Sequence, residues 1–227
     1  MGDGEAARPD LVLPAWRDLA RRMVEGLGPL DPEIASALSE VPRHVFVEPR
    51  YLGDAYEDTP LPVGPGATIS APHMVALQLE WAKLAPGLRV LEVGSGCGYL
   101  LALLDRLVGA EGAARGVEIE PGLAETSRRN LQMAGVRPSV AVRSANGAEG
   151  WAEEGPFDRA IVSYASSALA PAWGAQLVEG GLLVLPRVRA GGTFLERLCK
   201  RKGQLETDRR GPPCLFVASK SEPLERW

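Results

Sequence analysis

The sequence predicts an α/β fold with a doubly wound, mostly parallel sheet. The first observation is the alternation of short apolar strands with helices between residues 89 and 186, which right-handed β–α–β connections produce. The second is a glycine-rich turn, Gly94-Ser95-Gly96-Cys97-Gly98, at the first strand-to-helix junction of that region. The third is an ordinary globular composition, because 45% of the 227 residues are hydrophobic and 24% are charged.

Two helices and a long loop precede the alternating region. We predict one helix from Leu11 to Gly28, where apolar residues recur at helical spacing. A second helix should run from Pro32 to Val41, because Asp31 suits an N-cap and proline suits the first helical position. The segment from Pro42 to Pro72 contains six prolines and little periodicity. We therefore expect a long ordered loop there, of the kind that is usually functional in a compact domain.

The remaining elements follow at short intervals. The expected helices are Met74–Leu84, Tyr99–Val108, Pro121–Ala134 and Ala168–Val178, and the expected strands are Arg89–Val93, Ala114–Ile119, Ser139–Arg143, Asp158–Ser163 and Leu182–Pro186. Two later runs, Phe194–Cys199 and Cys214–Ser219, flank the turn-rich Gly203–Pro213 and predict an antiparallel hairpin at the sheet edge. We expect one domain over 1–227, with a helical cap and substrate loop in 1–85, a cofactor-binding core in 86–190, and the edge hairpin and tail in 191–227.

Charge and cysteine content exclude several functional classes. The net charge is −4 and the basic residues are dispersed, which argues against nucleic-acid binding. The three cysteines have no metal-ligand spacing and the two histidines lie far apart, so we expect neither a disulfide scaffold nor a metal site. The sequence contains no run of 18 apolar residues, so we predict no membrane span. The acidic N-terminal residues do not resemble a signal peptide. A cytoplasmic protein is expected.

The glycine-rich turn is the strongest local signal for a ligand site. Glycines let the backbone turn tightly and approach a ligand closely, and the helix that follows offers free N–H groups. The G-x-G-x-G spacing is tighter than the G-x-G-x-x-G of dinucleotide enzymes. With an acid before it, the turn resembles S-adenosylmethionine sites; a nicotinamide site or a turn without a ligand are the alternatives. The candidate cofactor ligands are Glu92, Gly94, Ser95, Gly96 and Gly98.

A carboxylate follows at the end of the second strand of the alternating region. The two acceptor oxygens of Glu118 can take both hydroxyls of a ribose. We therefore predict that Glu118 and the adjacent Ile119 bind the cofactor, and a surface acid is the alternative for Glu118. Glu120 needs no ligand, because an acid at a helix start is explained by capping.

The second signal is the segment Gly66-Ala67-Thr68-Ile69-Ser70-Ala71-Pro72-His73-Met74. Together with Val41-Pro42-Arg43-His44 and Ala55-Tyr56-Glu57-Asp58-Thr59-Pro60-Leu61-Pro62, it resembles the protein-L-isoaspartate O-methyltransferase family, and the resemblance extends from about Val41 to Val217. It implies a Rossmann-like, S-adenosylmethionine-dependent methyltransferase fold with extra N-terminal helices. The implied reaction is methyl transfer from S-adenosylmethionine to the α-carboxylate of an L-isoaspartyl residue in a damaged peptide. The ester then collapses to a succinimide that hydrolyses partly to aspartate.

The resemblance also implies roles for residues near this segment. Ser70 matches the family's active-site serine, and we expect its hydroxyl to orient the acceptor carboxylate rather than act as a nucleophile. Thr68 and Ile69, together with Ser70, are expected to line the methionine end of the cofactor. Asp58 lies in what resembles the substrate loop, and a simple turn residue is the alternative. Because the acceptor is already ionised and the donor is a sulfonium cation, the reaction requires alignment and exclusion of water.

Three positions depart from the family pattern. Asn146, followed by Gly147, stands where the family has an acid that accepts from the adenine amino group, and an amide oxygen can still accept. Tyr164 replaces a small residue after a strand, and we expect it to contact the substrate at the pocket edge. Val188 replaces a glycine.

These departures leave alternatives open for the function. The chain is a divergent repair enzyme, or a related carboxyl methyltransferase retuned to aspartate in a biosynthetic precursor peptide. A module that binds the cofactor with little turnover and a hydride-transferring oxidoreductase are weaker alternatives. The expected partners are isoaspartyl- or aspartyl-containing peptides and proteins, without nucleic acid or membrane.

Overall fold

The computed structural model describes residues 13–64, 66–218 and 220. Within them the α-helices are α1 (Leu13–Gly26), α2 (Pro32–Glu40), α3 (Pro72–Ala82), α4 (Tyr99–Val108), α5 (Pro121–Met133) and α6 (Pro171–Ala175). The strands are β1 (Leu61–Gly64), β2 (Ala67–Ile69), β3 (Arg89–Val93), β4 (Ala113–Glu118), β5 (Ala141–Ser144), β6 (Phe157–Val162), β7 (Leu177–Arg189), β8 (Gly192–Arg201) and β9 (Gln204–Pro213).

The large sheet has the strand order β5-β4-β3-β6-β7-β8-β9. Strands β3 to β7 pair in parallel, whereas β8 and β9 pair antiparallel at one edge. The predicted doubly wound, mostly parallel sheet with antiparallel edge strands is therefore confirmed. From β3 the chain first proceeds to β4 and β5 on one side and then to β6 and β7 on the other. Such a reversal opens a crevice at the carboxyl ends of the central strands.

The central strand β3 is buried on both faces, as is usual for a strand inside a parallel sheet, and Glu92 is its one fully buried ionisable residue. Val90 packs into a core on the side of helices α1 to α5. Leu91 and Val93 pack into a second core, which contains Trp173 of α6. The helices on both faces thus hold the carboxyl end of β3, and the glycine turn after it, in a fixed position.

The N-terminal helices largely match their sequence signals. Asp31 caps α2 by accepting a hydrogen bond from the backbone N of Glu33 at 2.9 Å, and Pro32 takes the first helical position. Helix α1 buries Trp16 and Met23 in the core. It is shorter than predicted, and the predicted residues 11 and 12 lie outside the described residues.

The predicted loop from Pro42 to Pro72 is more regular than expected. It contains two 3-10 helices, Arg43–Phe46 and Pro49–Asp54, and β1 and β2 form a separate antiparallel hairpin. Leu61 and Val63 alternate with the exposed Pro62 and point into the core, which is the burial pattern of a strand. The prolines concealed this pattern, because proline is normally rare within strands.

The predicted helix Ala168–Val178 is wrong in its extent. Only Pro171–Ala175 is helical, and Leu177 begins β7 by pairing with Phe157. An irregularity near Gly180, whose φ is +79°, carries the strand on to Leu182 and beyond. The apolar residues that suggested a longer helix therefore belong to two elements.

The predicted edge hairpin has the wrong second strand. Strand β8 pairs with β9 (Gln204–Pro213), which the sequence suggested to be turn-rich, whereas the predicted strand Cys214–Ser219 contributes only a bridge from Ala218 to Ala165. Ser219 itself lies outside the described residues. Lys202 and Gly203 form the tight turn with φ values of +50° and +75°, as two-residue hairpins require. Because β9 is an edge strand that is mostly exposed, it lacks the apolar alternation on which the prediction depended.

Across the described ranges, no helix has both the length and the apolar character that crossing a membrane requires.

Candidate cofactor and acceptor site

Three adjoining spaces lie at the carboxyl ends of β3, β4 and β6. The turn pocket adjoins the glycine turn and is lined by Gly94, Gly96, Glu118, Ile119, Gly147 and Tyr164, among others. The polar cavity lies deeper and is lined by Ile69, Gln78, Glu92 and Ser95, among others. The outer cleft, of about 380 Å³, is lined by Ser70, His73 and the segment from Pro213 to Val217, among others. Thr68 and Ser163 line all three spaces, which therefore adjoin one another.

The glycine turn brings bare backbone to the turn pocket. Gly94 has a φ of +85°, a conformation that other residues rarely adopt. A Cβ atom added to Gly94 would lie 2.7 Å from Cδ1 of Tyr164. A Cβ on Gly98, the N-cap of α4 with a φ of +93°, would lie 2.6 Å from Oγ of Ser127. Gly98 therefore serves close packing behind the turn, while Gly94 and Gly96 face the pocket.

Glu118 fixes the glycine turn from the neighbouring strand. Its Oε2 accepts a hydrogen bond from the backbone N of Gly96 at 2.9 Å, and its Oε1 accepts from the backbone N of Glu120 at 3.0 Å. The side chain is nearly buried and lines the turn pocket. Because each carboxylate oxygen can accept more than one hydrogen bond, Glu118 keeps acceptor capacity for a ligand hydroxyl.

Glu92 is the ionisable group of the polar cavity. Burial raises its pKa to about 8, and the nearby negative charge of Glu118 adds to this effect, while the hydroxyls of Ser163 and Ser95 oppose it. Oε1 accepts a hydrogen bond from Oγ of Ser163 at 3.1 Å. Oε2 of Glu92 and Oε1 of Gln78 are buried and have no hydrogen-bond partner among the described residues. Buried acceptors without a partner are unusual, so the cavity suits a ligand with hydrogen-bond donors.

Asp58 and His73 form a pair beside the outer cleft. Oδ1 of Asp58 accepts hydrogen bonds from the backbone N of His73 at 2.9 Å and from its Nδ1 at 2.8 Å. The carboxylate therefore satisfies an N–H group in the first turn of α3 and orients the imidazole, with Nε2 on the side away from Asp58. His44, the other histidine, binds the hydroxyl of Tyr56 through Nδ1 at 2.7 Å. No group of His, Cys, Asp and Glu in the described part of the chain could hold a metal ion.

Two of the predicted site residues have an unexpected environment. Oδ1 of Asn146 accepts a hydrogen bond from the backbone N of Ala148 at 3.0 Å, so this oxygen, expected to bind adenine, caps the short 3-10 helix that begins at Gly147. The ring of Tyr164 lies against Gly94 and Gly147 in the turn pocket. The predicted contact of Tyr164 with the substrate stays a prediction. In the structure, the ring also lies next to the space where the cofactor is expected.

Among the lining residues that the prediction missed are Ser163, Gln78 and His73. Ser163 directly follows β6, and the position at a strand's carboxyl end was the available signal. Gln78 donates through Nε2 to the carbonyl of Val162 at 3.3 Å, and nothing in the sequence distinguishes it from other polar residues of a helix. His73 was interpreted as a structural residue because the two histidines lie far apart and have no neighbouring cysteine or acid; its partner Asp58 is 15 residues away in the sequence.

Comparison with known sequences finds one family over most of the chain. The model of the family described as protein-L-isoaspartate(D-aspartate) O-methyltransferase matches residues 23–222. A protein-L-isoaspartate O-methyltransferase of Hyperthermus butylicus is 41% identical over 217 residues, covering 89% of this chain and 88% of the relative. Another, of Methylorubrum populi, is 42% identical over 205 residues and covers 88% of this chain and 94% of the relative.

Solved structures of similar fold carry the same description. A protein-L-isoaspartate O-methyltransferase superposes with a TM-score of 0.82 at 29% identity and covers 89% of this chain; the chain spans 65% of that structure's length. A putative protein-L-isoaspartate O-methyltransferase of Plasmodium falciparum, in complex with S-adenosyl-L-homocysteine, superposes with a TM-score of 0.77 at 26% identity. That match covers 89% of this chain and 99% of the other.

Proposed function

The chain belongs to the protein-L-isoaspartate(D-aspartate) O-methyltransferase family, and we propose that it methylates the free α-carboxylate of L-isoaspartyl residues in damaged peptides and proteins. S-adenosylmethionine is the methyl donor, and the ester starts repair by closing to a succinimide. The observation that carries the proposal is that Thr68 and Ser163 line both the expected cofactor spaces and the outer cleft. A donor and an acceptor can therefore meet across these residues.

The residues of the two inner spaces fit S-adenosylmethionine. The glycine turn allows close approach of a nucleoside, and Glu118 offers acceptor oxygens at the turn pocket. The unpartnered oxygens of Glu92 and Gln78 suit the ammonium group of an amino acid. When bound, S-adenosylmethionine supplies a methyl group on a sulfonium cation, which a carboxylate can attack without a general base. Thr68, Ile69, Ser70, Ser95 and Gly147 complete the proposed contacts.

The acceptor side of the proposal rests on the outer cleft. The Ser70 hydroxyl donates a hydrogen bond to the acceptor carboxylate and holds one oxygen toward the inner spaces. Asp58 orients His73 at the rim of the cleft, and this pair contacts the peptide backbone around the acceptor. The segment from Pro213 to Val217 lines the cleft, and a peptide bound against it would limit the access of water to the acceptor. These residues align and shield the acceptor, which is what in-line transfer to an ionised oxygen requires.

The experiment that tests this function is methyl transfer from labelled S-adenosylmethionine to a short isoaspartyl peptide, with the aspartyl peptide of the same sequence as its control. Base-labile label in the isoaspartyl peptide alone supports the proposal. Label in the aspartyl peptide instead indicates an enzyme retuned to normal aspartate.

A binding module with little turnover is the second candidate, and the position of Tyr164 favours it. The aromatic ring lies against Gly94, where the backbone would otherwise be open to a nucleoside. Calorimetry with S-adenosylhomocysteine beside the transfer assay separates the two candidates, because the module binds the nucleoside and methylates neither peptide.

Three further proposals concern the setting of the enzyme. We propose that the chain acts as a single domain, because one apolar core extends from Trp16 in α1 to Cys214 after β9. We propose a cytoplasmic location, where the three cysteines, which are free thiols here, remain reduced. Its partners are then peptides and proteins rather than nucleic acid, in line with a net charge of −4.

A further inference from the structure

We propose that Arg43 is a positioning residue of the acceptor site, which holds Ser70 in place and supplies the positive charge that favours an ionised acceptor carboxylate. This inference rests on the proposed function, because it concerns how the outer cleft selects its substrate. It identifies a determinant that lies behind the cleft and touches neither reactant.

The contacts of Arg43 converge on the acceptor segment. The side chain belongs to the 3-10 helix Arg43–Phe46 and is fully buried. Nε donates to the carbonyl of Ala55 at 2.8 Å, and Nη2 donates to the carbonyl of Ser70 at 2.9 Å and to that of Thr59 at 3.5 Å. One guanidinium therefore joins the end of the second 3-10 helix, the loop beside Asp58 and the segment that carries Ser70.

The charge of Arg43 has no carboxylate partner among the described residues. The guanidinium instead lies 5.0 Å from the centre of the Tyr99 ring, and its Nη1 is buried without a hydrogen-bond partner. Burial raises the pKa of Tyr99 to about 12 and that of Cys97 to about 11, so both neighbours are neutral at physiological pH. Since a buried arginine is normally paired, this one leaves a positive charge uncompensated directly behind Ser70.

A carboxylate bound at Ser70 would provide the missing negative charge. The carbonyl of Ser70 accepts from the guanidinium, while the same residue lines the outer cleft. Because the Arg43 guanidinium is buried, little water screens its attraction for a carboxylate bound at the adjacent Ser70. The cleft should therefore prefer an ionised carboxylate to a neutral amide of the same shape.

The test compares two peptides that differ only in the charge of the acceptor group. One is the isoaspartyl peptide, and the other is its isoasparaginyl analogue, in which a neutral carboxamide replaces the α-carboxylate. The KM of the first and the inhibition constant of the second are measured for wild type, Arg43→Gln and Arg43→Lys. Arg50→Gln is the matched control, because it removes an exposed arginine from the neighbouring 3-10 helix. The Kd for S-adenosylhomocysteine is measured for each protein.

For Arg43→Gln we expect the preference for the charged peptide to fall about tenfold, mainly through KM, while the Kd for S-adenosylhomocysteine stays within about twofold. Arg43→Lys should keep the preference and lose part of the turnover, because an ammonium retains the charge but not the three-carbonyl geometry. Arg50→Gln should behave as wild type. If Arg43 had a purely structural role, Arg43→Gln would weaken the binding of both peptides by the same factor.

Two results would overturn the inference. Either Arg43→Gln keeps the wild-type preference for the charged peptide, or Arg43→Lys loses that preference. If Arg43→Gln does not fold, the lysine variant alone decides between these outcomes. A wild-type protein that methylates no isoaspartyl peptide would instead overturn the proposed function, and this inference with it.

Discussion

The carboxylate of Glu118 accepts a hydrogen bond from the backbone N–H of Gly96 at 2.9 Å. This contact joins the end of β4 to the glycine turn after β3, so the proposed ribose ligand and the proposed backbone cradle form one unit. Without such an acceptor, the conformational freedom of glycine would leave the backbone N–H groups of the turn free to point in several directions. Here a negative charge orients the turn before any ligand arrives.

Glu118→Gln tests this unit. The amide nitrogen would replace one carboxylate oxygen, and it would face an N–H donor of either Gly96 or Glu120. A hydrogen bond to a charged group contributes about 1.5–3 kcal/mol, so we expect the Kd for S-adenosylhomocysteine to rise roughly 10- to 100-fold in calorimetry. Glu120→Gln is the control, since Glu120 pairs with Lys220 outside the turn. Equal affinity in wild type and Glu118→Gln would show that Glu118 does not bind the nucleoside.

Glu92 gives the free protein a pH-dependent stability. Burial raises its folded-state pKa to about 8, from 4.5 for the exposed group in the unfolded chain. Between these values the native state holds a proton that the unfolded chain releases, so this group's stabilising contribution falls as the pH rises. Glu92→Gln should remove that dependence. Urea unfolding should show the variant gaining on wild type by about 4 kcal/mol between pH 4.5 and pH 9; parallel profiles would contradict the raised pKa.

Tyr164 should limit the affinity for the cofactor. Its ring lies where a Cβ on Gly94 would collide with it at 2.7 Å, so the ring occupies the approach to the turn. We expect Tyr164→Ala to tighten S-adenosylhomocysteine binding about fivefold, which corresponds to roughly 1 kcal/mol. Tyr164→Phe keeps the ring and should stay within about twofold of wild type. Weaker binding by the alanine variant would mean that the ring stacks on the nucleoside instead.

Ser70→Ala should separate turnover from cofactor binding. The hydroxyl lines the outer cleft, and losing a positioning hydrogen bond should lower kcat/KM for the isoaspartyl peptide by about 10- to 100-fold. The Kd for S-adenosylhomocysteine should change less than about twofold. Ser36→Ala is the matched control, because Ser36 is a serine of α2 that bonds Glu40 away from the site. An unchanged kcat/KM would remove Ser70 from the reaction.

The central sheet was predictable because its signals are local. Strand Arg89–Val93 and helix Tyr99–Val108 have the predicted bounds. The glycine turn between them marks where the strand ends and where the helix begins. Strand β9 escaped prediction because an exposed edge strand needs no apolar alternation. Its position became evident only from the pairing with β8.

The sequence pointed to several residues that line the candidate site, but not to the contacts between them. The turn and Glu118 were identified from strand ends, where ligands bind in such sheets. The pair of Asp58 and His73, and the contact of Arg43 with Ser70 across 27 positions, depend on how the loop from Pro42 to Pro72 folds back on itself. No periodicity in that segment reveals such contacts.

The proposed methylation of isoaspartyl peptides is tested most directly by a competition between two peptides in one reaction. Equal amounts of an isoaspartyl peptide and its aspartyl counterpart, distinguished by an isotope label, are incubated with the protein and S-adenosylmethionine and followed by mass spectrometry. We predict a gain of one methyl group in the isoaspartyl peptide alone, and its loss at alkaline pH through a succinimide. Methylation of neither peptide, or of both at the same rate, would contradict the proposed function.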